Sequence, residues 1–335
     1  MNATLKDVAA RAGVSRSAVS RTFTDGASVS GKMRAKVEKA ASELGYSPNA
    51  LARSLTTRRT GMVGLVSDNF HNPVFLEVFD LFTRGMQDRG LRPLLVNLSG
   101  GFDPEAAMRM LRQYSVDGVV VASSTLPPAF SLAFRDAGIP VVNSFGRFAP
   151  HPAIDIVTID NVACGRLAAR ELIARGYARV AFLGGPARAT STIDRWQGFR
   201  EELALHPGIT LTHSFAEAYS FDAGRRAMKS LLAHPPAEAY FVGDDVLSVG
   251  ALSAIRDAGL SVPNDIGVVG VNDMEIAGWA GIDLTTIRQP IAEIIAASLE
   301  VIDAILNDPD HRPQSRVFDC VLVERGTLRP RPTVD

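Results

Sequence analysis

Side chains able to hold a polyhydroxylated ligand follow several strand-like runs of the chain. Arg195 offers a fork-shaped donor for neighbouring hydroxyls, and Asp244 and Asn272 offer acceptors. Phe221 adds an aromatic face, which completes the groups that a buried site for a sugar or related polyol needs. The predicted ligand-binding set is Phe70, Asn72, Phe145, Arg147, Asp160, Arg195, Phe221, Asp244, Asn272 and Gln289. For Asp160 a structural role, as a loop cap or in an interlobe hydrogen bond, stays open.

The elements that would position these residues alternate between strands and helices after residue 61. Continuous apolar strands separated by helices are typical of parallel sheets covered on both faces. We therefore predict an α/β core of two doubly wound parallel sheets, with ligand contacts at the carboxyl ends of strands. The strand-like runs cover 62–67, 93–98, 118–122, 140–143, 156–159, 180–183, 240–242 and 267–271, and a β-rich tail lies near 316–323. The helical segments cover about 73–89, 104–114, 129–137, 161–175, 191–205, 221–233, 246–258 and 290–306.

Motifs typical of catalysis are missing from the same region of the sequence. It has no GxxxxGK[ST] phosphate loop, no HExxH or GxSxG, and no GxGxxG after its first strand. Cys164 and Cys320 belong to no CxxC pair or Cys/His cluster, so we interpret both as small buried side chains. We expect no enzymatic activity, no metal and no cofactor.

The first 60 residues are basic, whereas the rest of the chain is acidic. Residues 1–60 hold 11 Lys and Arg against 4 Asp and Glu, a balance of +7, and the remainder holds 24 against 32, a balance of −8. A basic head on an acidic body indicates that the head binds a polyanion. No run suits a membrane span or a secretory signal, so we expect a cytoplasmic protein without membrane contact.

Two short helices joined by a tight turn are predicted in the head. Thr4 and Asp7 fit a capping box, and apolar residues then recur on one helical face up to Ala12. Gly13 ends this helix, and Ser15 is a suitable N-cap for a second helix that runs to about residue 23. A short glycine-containing turn between two such helices is typical of a helix-turn-helix unit.

A third helix and a short segment complete the head. The third helix starts after Ser30, ends at Gly45 and carries basic side chains on its polar face. Ser47 and Pro48 then start a helix that reaches only to about residue 55, which is too short to be stable in water alone. A second subunit, DNA, or both must therefore stabilise it.

The head resembles the headpiece of the lac repressor/galactose repressor (LacI/GalR) family. The resemblance rests on the order and spacing of Thr4-Leu5-Lys6-Asp7-Val8-Ala9, Ala12-Gly13-Val14-Ser15, Val19-Ser20-Arg21, Leu44-Gly45-Tyr46, Pro48-Asn49 and Ala52-Arg53-Ser54-Leu55. In that family the second helix enters the major groove, and the hinge helices of two subunits pair in the minor groove. The resemblance implies a homodimeric regulator, expected to be a repressor, that binds a palindromic DNA operator.

By position, the resemblance assigns DNA contacts to this sequence. Arg16 and Ser17, with Arg21 one turn further on, would read base edges, because arginine can bind guanine through two hydrogen bonds. Lys32 and Arg34 would contact phosphates, with a solvated basic face as the alternative, and Leu55 would insert between base pairs. The implied DNA-binding set is Thr4, Ser15, Arg16, Ser17, Ser20, Arg21, Lys32, Arg34, Asn49, Ala52 and Leu55.

The resemblance continues to residue 330 through a two-lobed periplasmic-binding-protein-like core. It implies a headpiece over 1–46, a hinge helix and linker over 47–60, and a ligand-sensing and dimerisation core over 61–335. The first lobe would span about 61–159 and 290–318, and the second about 160–289 and 319–330. Arg195 occupies the position of the family's ligand-gripping arginine. Asp244 and Asn272 depart from the Asn and Asp common there, which leaves the class of effector, expected to be a sugar or derivative, open.

Two other classes of protein fit the sequence less well. A solute-binding protein would need a secretion signal and no basic head, and a structural DNA-binding protein would not need a two-lobed core. The sequence leaves open whether the ligand releases or promotes DNA binding, and whether the protein is a dimer or a tetramer.

Overall fold

The computed structural model describes residues 3–24, 27–47, 59–100, 103–308 and 310–332. The chain divides into two units, Met1–Gly61 and Met62–Asp335. The expected hinge helix lies outside the described residues, together with the predicted DNA contacts Asn49, Ala52 and Leu55.

Three helices form the described part of the head: α1 (Leu5–Ala12), α2 (Arg16–Thr22) and α3 (Gly31–Leu44). The predicted capping box is confirmed, since Thr4 Oγ1 accepts a hydrogen bond from the Asp7 amide and the Thr4 amide donates to Asp7 Oδ2. Gly13 adopts a left-handed φ of 59°, which favours glycine and allows the tight turn into α2. The order α1, turn, α2 confirms the predicted helix-turn-helix.

The head encloses a small apolar core. Val8, Val19 and Val37, one from each helix, are fully buried, and alanines fill the space between them. The rings of Phe23 and Tyr46 lie 6.0 Å apart at the edge of this cluster. Few large side chains are available for burial, so the unit is small and marginal in stability.

The first lobe is a parallel sheet with helices on both faces. Its elements are β1 (Met62–Ser67), α4 (Val74–Asp88), β2 (Arg92–Asn97), α5 (Pro104–Gln113), β3 (Gly118–Ala122), α6 (Pro128–Asp136), β4 (Val141–Ser144), β5 (Asp155–Ile159), α11 (Ile291–Asn307) and β11 (Ser315–Phe318). The strand order is β11-β5-β4-β3-β1-β2. Side chains of α4 and α11 cover one face, and those of α5 and α6 cover the other.

The second lobe repeats this architecture. Its elements are α7 (Asn161–Ala174), β6 (Arg179–Gly184), α8 (Thr190–Leu203), β7 (Thr210–Phe215), α9 (Phe221–Leu232), β8 (Ala239–Val242), α10 (Asp245–Asp257), β9 (Gly267–Asn272), a 3₁₀ turn (Glu275–Gly278), β10 (Thr286–Arg288) and β12 (Val321–Val323). The strand order is β12-β10-β9-β8-β6-β7. Helices α7 and α8 cover one face of this sheet, and α9 and α10 cover the other.

The two sheets confirm the predicted α/β architecture, with one correction. Every strand pair is parallel except β10 with β12, which is antiparallel, so the second sheet is mostly rather than wholly parallel. Strands β7 and β10 were not predicted. Strand β7 is a mostly exposed edge strand without a continuous apolar run, and β10 has only three residues. Neither offers the sequence signal of a buried parallel strand.

The chain passes between the sheets three times. It crosses at Asp160 between β5 and α7, at Gln289 and Pro290 between β10 and α11, and at Asp319 and Cys320 between β11 and β12. One apolar cluster contains residues from both lobes, including Phe145, Ile159 and Cys164. Any movement of one lobe against the other must therefore bend these three segments.

Glycines allow helices of the second lobe to pack at close range. A Cβ atom on Gly198 of α8 would lie 1.9 Å from the carbonyl oxygen of Val162 in α7. A Cβ on Gly165 of α7 would lie 2.1 Å from the carbonyl oxygen of Arg195. Both obstacles are backbone atoms, which cannot move without shifting a helix. This contact fixes the start of α7 against the segment of α8 that carries Arg195.

We predict that Gly198→Ala lowers the free energy of unfolding of the core by about 3 kcal/mol, because the added methyl group forces the two helices apart. Urea denaturation followed by circular dichroism measures this change. Gly208→Ala is the matched control, because a Cβ on the exposed Gly208 meets nothing within 4 Å. Equal midpoints for the two variants would contradict the close contact.

Candidate functional site

The outward face of α2 in the head is a polar, basic surface. Arg16, Ser17, Ser20 and Arg21 are all exposed, whereas Val19 on the opposite face is buried. The Ser15 hydroxyl accepts from the Ala18 amide at 3.2 Å and lies 2.9 Å from the Ser17 hydroxyl. The two arginines therefore project from a helix whose first turn is capped.

Other head residues assigned to DNA have different surroundings. Lys32 is exposed at the start of α3. Arg34 is half-buried, because its Nη1 donates to the carbonyl oxygen of Thr22 at 2.9 Å. Thr4 is held in the capping box by Asp7. Arg34 and Thr4 thus have structural contacts within the head in addition to their proposed roles.

A cavity lies between the lobes of the core at the carboxyl ends of the strands. It brings together six of the predicted ligand-binding residues: Asn72, Phe145, Arg195, Asp244, Asn272 and Gln289. Its volume is about 30 Å³, which is enough for one or two water molecules. Sites that hold small ligands have roughly 300–1,000 Å³, so the lobes or the lining side chains must move apart to admit one.

The cavity is small because its polar side chains bond to each other across the cleft. Asp244 Oδ2 accepts from Asn72 Nδ2 of the first lobe and from Asn272 Nδ2 of the second, each at 2.9 Å. Asp244 Oδ1 accepts from the Val246 amide at 2.8 Å. Gln289 Nε2 in turn donates to Asn272 Oδ1. The Asp244 carboxylate is therefore the centre of a network that closes the cleft.

Arg195 lies beside this network and is 5% exposed. Its Nε donates to Asn161 Oδ1 at 2.8 Å, and its Nη1 donates to the carbonyl oxygen of Gly243 at 2.7 Å. These two bonds hold the guanidinium in place at the cavity wall. A buried arginine held in this way is pre-organised to donate to neighbouring oxygens of a ligand.

The backbone is strained at two strand ends beside the cavity. Phe145 after β4 has a φ of 64°, and Asn272 and Asp273 after β9 have φ values of 122° and 60°. Residues other than glycine rarely adopt this left-handed region, and such positions cluster at functional sites. The strained backbone at Phe145 and at Asn272 directs the side chains of these two residues towards the cavity that they line.

Four predicted ligand residues do not line the cavity. Phe70 packs on Phe79 with ring centroids 4.6 Å apart, and Phe221 begins α9 with 39% of its surface exposed. Asp160 caps α7 by accepting from the Ala163 amide at 2.9 Å, so its role in the structure is a structural one, as the sequence left open. Arg147 belongs to the interlobe ion pair with Asp194 instead.

That ion pair bridges the lobes at a second point. Arg147 Nε and Nη2 donate to the two oxygens of Asp194 at 3.1 and 2.7 Å. Desolvation raises the pKa of Asp194, and Arg147 opposes this shift. A third bridge joins Thr190 Oγ1 to the carbonyl oxygen of Ser124 at 3.0 Å. The lobes are thus closed onto each other by polar contacts at three places.

The structure adds lining residues that the sequence analysis did not select. Polar ones are Asn69, Ser124, Thr158, Asn161 and Tyr219, and apolar ones are Val74, Phe75, Val78, Ile159 and Ile291. Asn161 and Asn69 follow strands directly, which is a usable signal. Tyr219 reaches the cavity from the loop before α9, and its hydroxyl bonds to Thr192 at 2.7 Å. No local sequence pattern predicts that Tyr219 lies at the cavity.

A larger opening adjoins the cavity and shares Asn69, Asn72 and Tyr219 with it. Its volume is about 600 Å³. Asp68 lies in its wall and accepts hydrogen bonds from Ser123 and Thr125 at 2.7 and 2.6 Å. This opening leads from the surface to the closed polar network.

Two adjacent buried carboxyl groups lie at the start of α10. Desolvation raises the pKa of Asp244 and, more strongly, that of Asp245. Asp245 is fully buried and joins three segments, since Thr286 Oγ1 donates to its Oδ1 at 2.6 Å and the Met274 amide to its Oδ2 at 2.8 Å. Asp245 therefore fixes β10 and the strand end at Asn272, whereas Asp244 faces the cavity.

Comparisons with known proteins match each of the two units to a protein family. The family described as "Bacterial regulatory proteins, lacI family" matches residues 4–49. The family described as "Periplasmic binding protein-like domain" matches residues 169–328. A helix-turn-helix head followed by a two-lobed core with a polar cleft defines the class of ligand-responsive DNA-binding regulators.

Full-length relatives narrow this class. The ribose operon repressor of Escherichia coli (strain K12) is 33% identical over 333 residues, which cover 97% of this chain and 99% of that protein. The solved lac repressor dimer bound to operator and the anti-inducer ONPF has a TM-score of 0.88 at 25% identity and covers 98% of this chain and 100% of that one. The complex of the transcriptional regulator CelR with cellobiose has a TM-score of 0.73 at 30% identity, with 97% and 99% covered.

The chain belongs to the lacI family of bacterial regulatory proteins. It is a DNA-binding transcriptional regulator of the kind that responds to a small-molecule effector, which confirms the family and general function predicted from the sequence. None of the described helices is long and apolar enough to cross a membrane.

We predict that Asp245→Asn changes how stability depends on pH. The folded wild type keeps the Asp245 proton to a higher pH than the unfolded chain, so it loses stability as pH rises from about 4 through the raised pKa. Asparagine stays neutral, can accept from Met274 and can donate to Thr286. The free energy of unfolding of the variant relative to wild type should therefore increase between about pH 4 and pH 8.

Urea denaturation across this pH range measures the effect. Thr286→Val is the control, because it removes a hydrogen bond but leaves the carboxyl group, so the pH dependence of the wild type should persist. A difference between Asp245→Asn and wild type that stays constant with pH would rule out the raised pKa.

Proposed function

We propose that this protein is a homodimeric repressor whose affinity for a palindromic operator is controlled by a sugar or related polyol bound between the lobes. The observation that carries the proposal is the buried set of donors and acceptors around the cavity: Arg195, Asn72, Asn272 and Asp244. A carboxylate, amides and a fork-shaped donor around one small space suit a ligand with several hydroxyl groups.

The names of two relatives support this ligand class. One is a ribose operon repressor, and another was solved in complex with cellobiose. In this chain, hydroxyl groups of a ligand would replace the bonds that Asn72 and Asn272 make to Asp244. Arg195 would donate to ligand oxygens without moving, because Asn161 and Gly243 already hold it.

The DNA-binding proposal rests on the exposed face of α2. Arg16 and Arg21 project from a capped helix in a head with a net charge of +7. We propose that Arg16 and Ser17 read bases in the major groove and that Lys32 contacts phosphate. Leu55 would kink the DNA at the centre of the operator.

The dimer proposal rests on an exposed apolar face of the first lobe. Leu76 on α4 is 77% exposed, and Leu95 on the edge strand β2 is 46% exposed. The lac repressor, which the fold matches, was solved as a dimer on its operator. We propose that α4 and β2 meet their counterparts in a second subunit, which would place two heads on the two halves of a palindrome.

We further propose that the protein acts in the cytoplasm without membrane contact, because its DNA partner is there. Its core binds a ligand but carries out no catalysis, since the family consists of transcriptional regulators. The head covers residues 1–46, the hinge helix and linker 47–60, and the core 61–335.

We predict that a sugar panel containing pentoses, hexoses and disaccharides includes a compound that raises the melting temperature of the core. At a hundredfold excess over Kd the rise should be about 5 °C, because a ligand bound only by the folded state stabilises it by about 2.7 kcal/mol. Arg195→Ala should abolish this rise, and Arg195→Gln should reduce it.

Arg200→Ala is the matched control for this test. Arg200 lies on the same helix as Arg195, is exposed, and its guanidinium lies 5.9 Å from the Trp196 ring centroid. The control variant should respond to the sugar as the wild type does. A full response in Arg195→Ala would remove this residue from the site, and no response of the wild type to any sugar would contradict the ligand class.

We predict that Arg16→Ala relaxes sequence preference at one or two base pairs of each half-site. Loss of a bidentate contact to guanine removes about 1–3 kcal/mol of discrimination. Sequencing of duplexes that each variant enriches from a random DNA pool measures the preference. Lys32→Ala should instead weaken binding to all duplexes alike and reduce the salt dependence. A uniform loss for Arg16→Ala as well would make Arg16 a phosphate contact.

A further inference from the structure

The only two cysteines of the chain meet where it crosses between the lobes. Cys164 lies in the first turns of α7, directly after the first crossover, and Cys320 lies in the third crossover. The sheet register brings these segments together, because Phe318 at the end of β11 pairs with Ile159 at the end of β5. Both crossovers therefore leave the first lobe side by side.

Both cysteines carry free thiols, and each lies close enough to the other to shift its pKa. Cys164 is 1% exposed, and Cys320 is partly exposed at the edge of the same apolar cluster. Arg195, which lines the cavity, also lies close enough to Cys164 to lower its pKa. The pair thus lies between the interlobe crossovers and the proposed ligand site.

The surroundings favour a thiolate on one member of the pair. The hydrogen bond from Cys320, with a further contribution from Arg195, lowers the pKa of Cys164 in spite of its burial. The same bond and burial raise the pKa of Cys320. Cys164 is therefore the nucleophile, and Cys320 is the neighbouring thiol that keeps its proton.

We propose that Cys164 and Cys320 form a reversible intramolecular disulfide that restrains the movement between the lobes, so that oxidation is a second input to DNA binding besides the effector. Disulfides of proteins in the reducing cytosol are commonly of this redox-sensing kind. The proposal concerns residues outside the polyol-binding set.

The oxidant would be hydrogen peroxide. The Cys164 thiolate attacks one peroxide oxygen and the O–O bond breaks, which gives a sulfenic acid and hydroxide. The hydroxide takes up one proton from solvent, equal to the proton that Cys164 lost on ionisation, and becomes water. The Cys320 sulfur then attacks the Cys164 sulfur and releases a second water molecule, with its own proton completing that water. Two thiols lose two electrons in total, one S–S bond forms, and the peroxide is reduced to two water molecules. A cellular dithiol would reverse the reaction.

The disulfide would act on the lobes because of what it joins. It would link α7, which belongs to the second lobe, to the segment that leads out of the first. Two of the three crossovers could then no longer bend independently. It would also remove the thiolate from Arg195, so that oxidation and ligand binding act on the same guanidinium.

The chemical step can be tested on the reduced full-length protein. Treatment with a small excess of hydrogen peroxide should remove both titratable thiols and lower the mass by about 2 Da, the two hydrogens lost on forming one S–S bond. A digest should contain the Cys164–Cys320 cross-linked peptide. A mass increase from separate oxidation of the thiols, a disulfide between two chains, or two thiols that stay unmodified would overturn the proposal.

Cys164→Ala and Cys320→Ser are the control variants. Each should lose the cross-link and instead gain the mass of one oxygen or form a dimer of chains. If the buried alanine substitution prevents folding, Cys320→Ser at the partly exposed position gives the same information. The assignment is supported if the wild type forms the intramolecular cross-link and neither variant does.

The regulatory step is tested with a DNA duplex that the wild type has selected. Oxidised and reduced wild type should differ in affinity by at least about fivefold, and peroxide should change the affinity of Cys320→Ser by less than twofold. Equal affinities of cross-linked and reduced protein would overturn the regulatory role. This readout rests on the proposed function, whereas the mass and thiol readouts do not. Loss of all sequence-specific binding would therefore contradict the proposed function and leave the cross-link result standing.

Discussion

The arrangement of the core depends on one buried carboxylate that takes its donors from both lobes. A desolvated carboxylate is costly unless its oxygens accept hydrogen bonds. Asp244 obtains them from Asn72 on one side of the cleft and Asn272 on the other, so the need to satisfy this group holds the lobes together. A ligand that separated these side chains would have to replace the donors that Asp244 loses, so Asp244 would favour ligands with hydroxyl groups.

Closure of the cleft has consequences elsewhere because three crossovers connect the lobes. The ion pair of Arg147 and Asp194 joins the two lobes, so separation of the lobes would break it and would bend the crossovers. A ligand shifts the balance between open and closed states only by its different affinity for the two. The thiol pair lies at two of these crossovers, so it could act on the same balance without occupying the cleft.

Structural features that have a strong local cause in the sequence were predicted correctly. The capping box at Thr4 and the buried parallel strands followed from spacing and hydrophobic runs, and the family followed from short motifs in fixed order. The edge strand β7 and the three-residue strand β10 lacked such a cause. Contacts between residues far apart in the sequence could not be predicted from local patterns. Arg147 forms an ion pair, Tyr219 reaches the cavity, and Cys164 lies near Cys320 only because of how the two lobes fold together.

The central claim is that ligand binding in the cleft and operator binding by the head are coupled. The most direct measurement is the affinity of the full-length protein for a selected duplex, with and without a saturating concentration of the sugar that stabilises the core. The account predicts a change of about fivefold or more, in either direction, that disappears in Arg195→Ala while DNA binding itself persists. Equal affinities with and without a sugar that demonstrably occupies the cleft would contradict it.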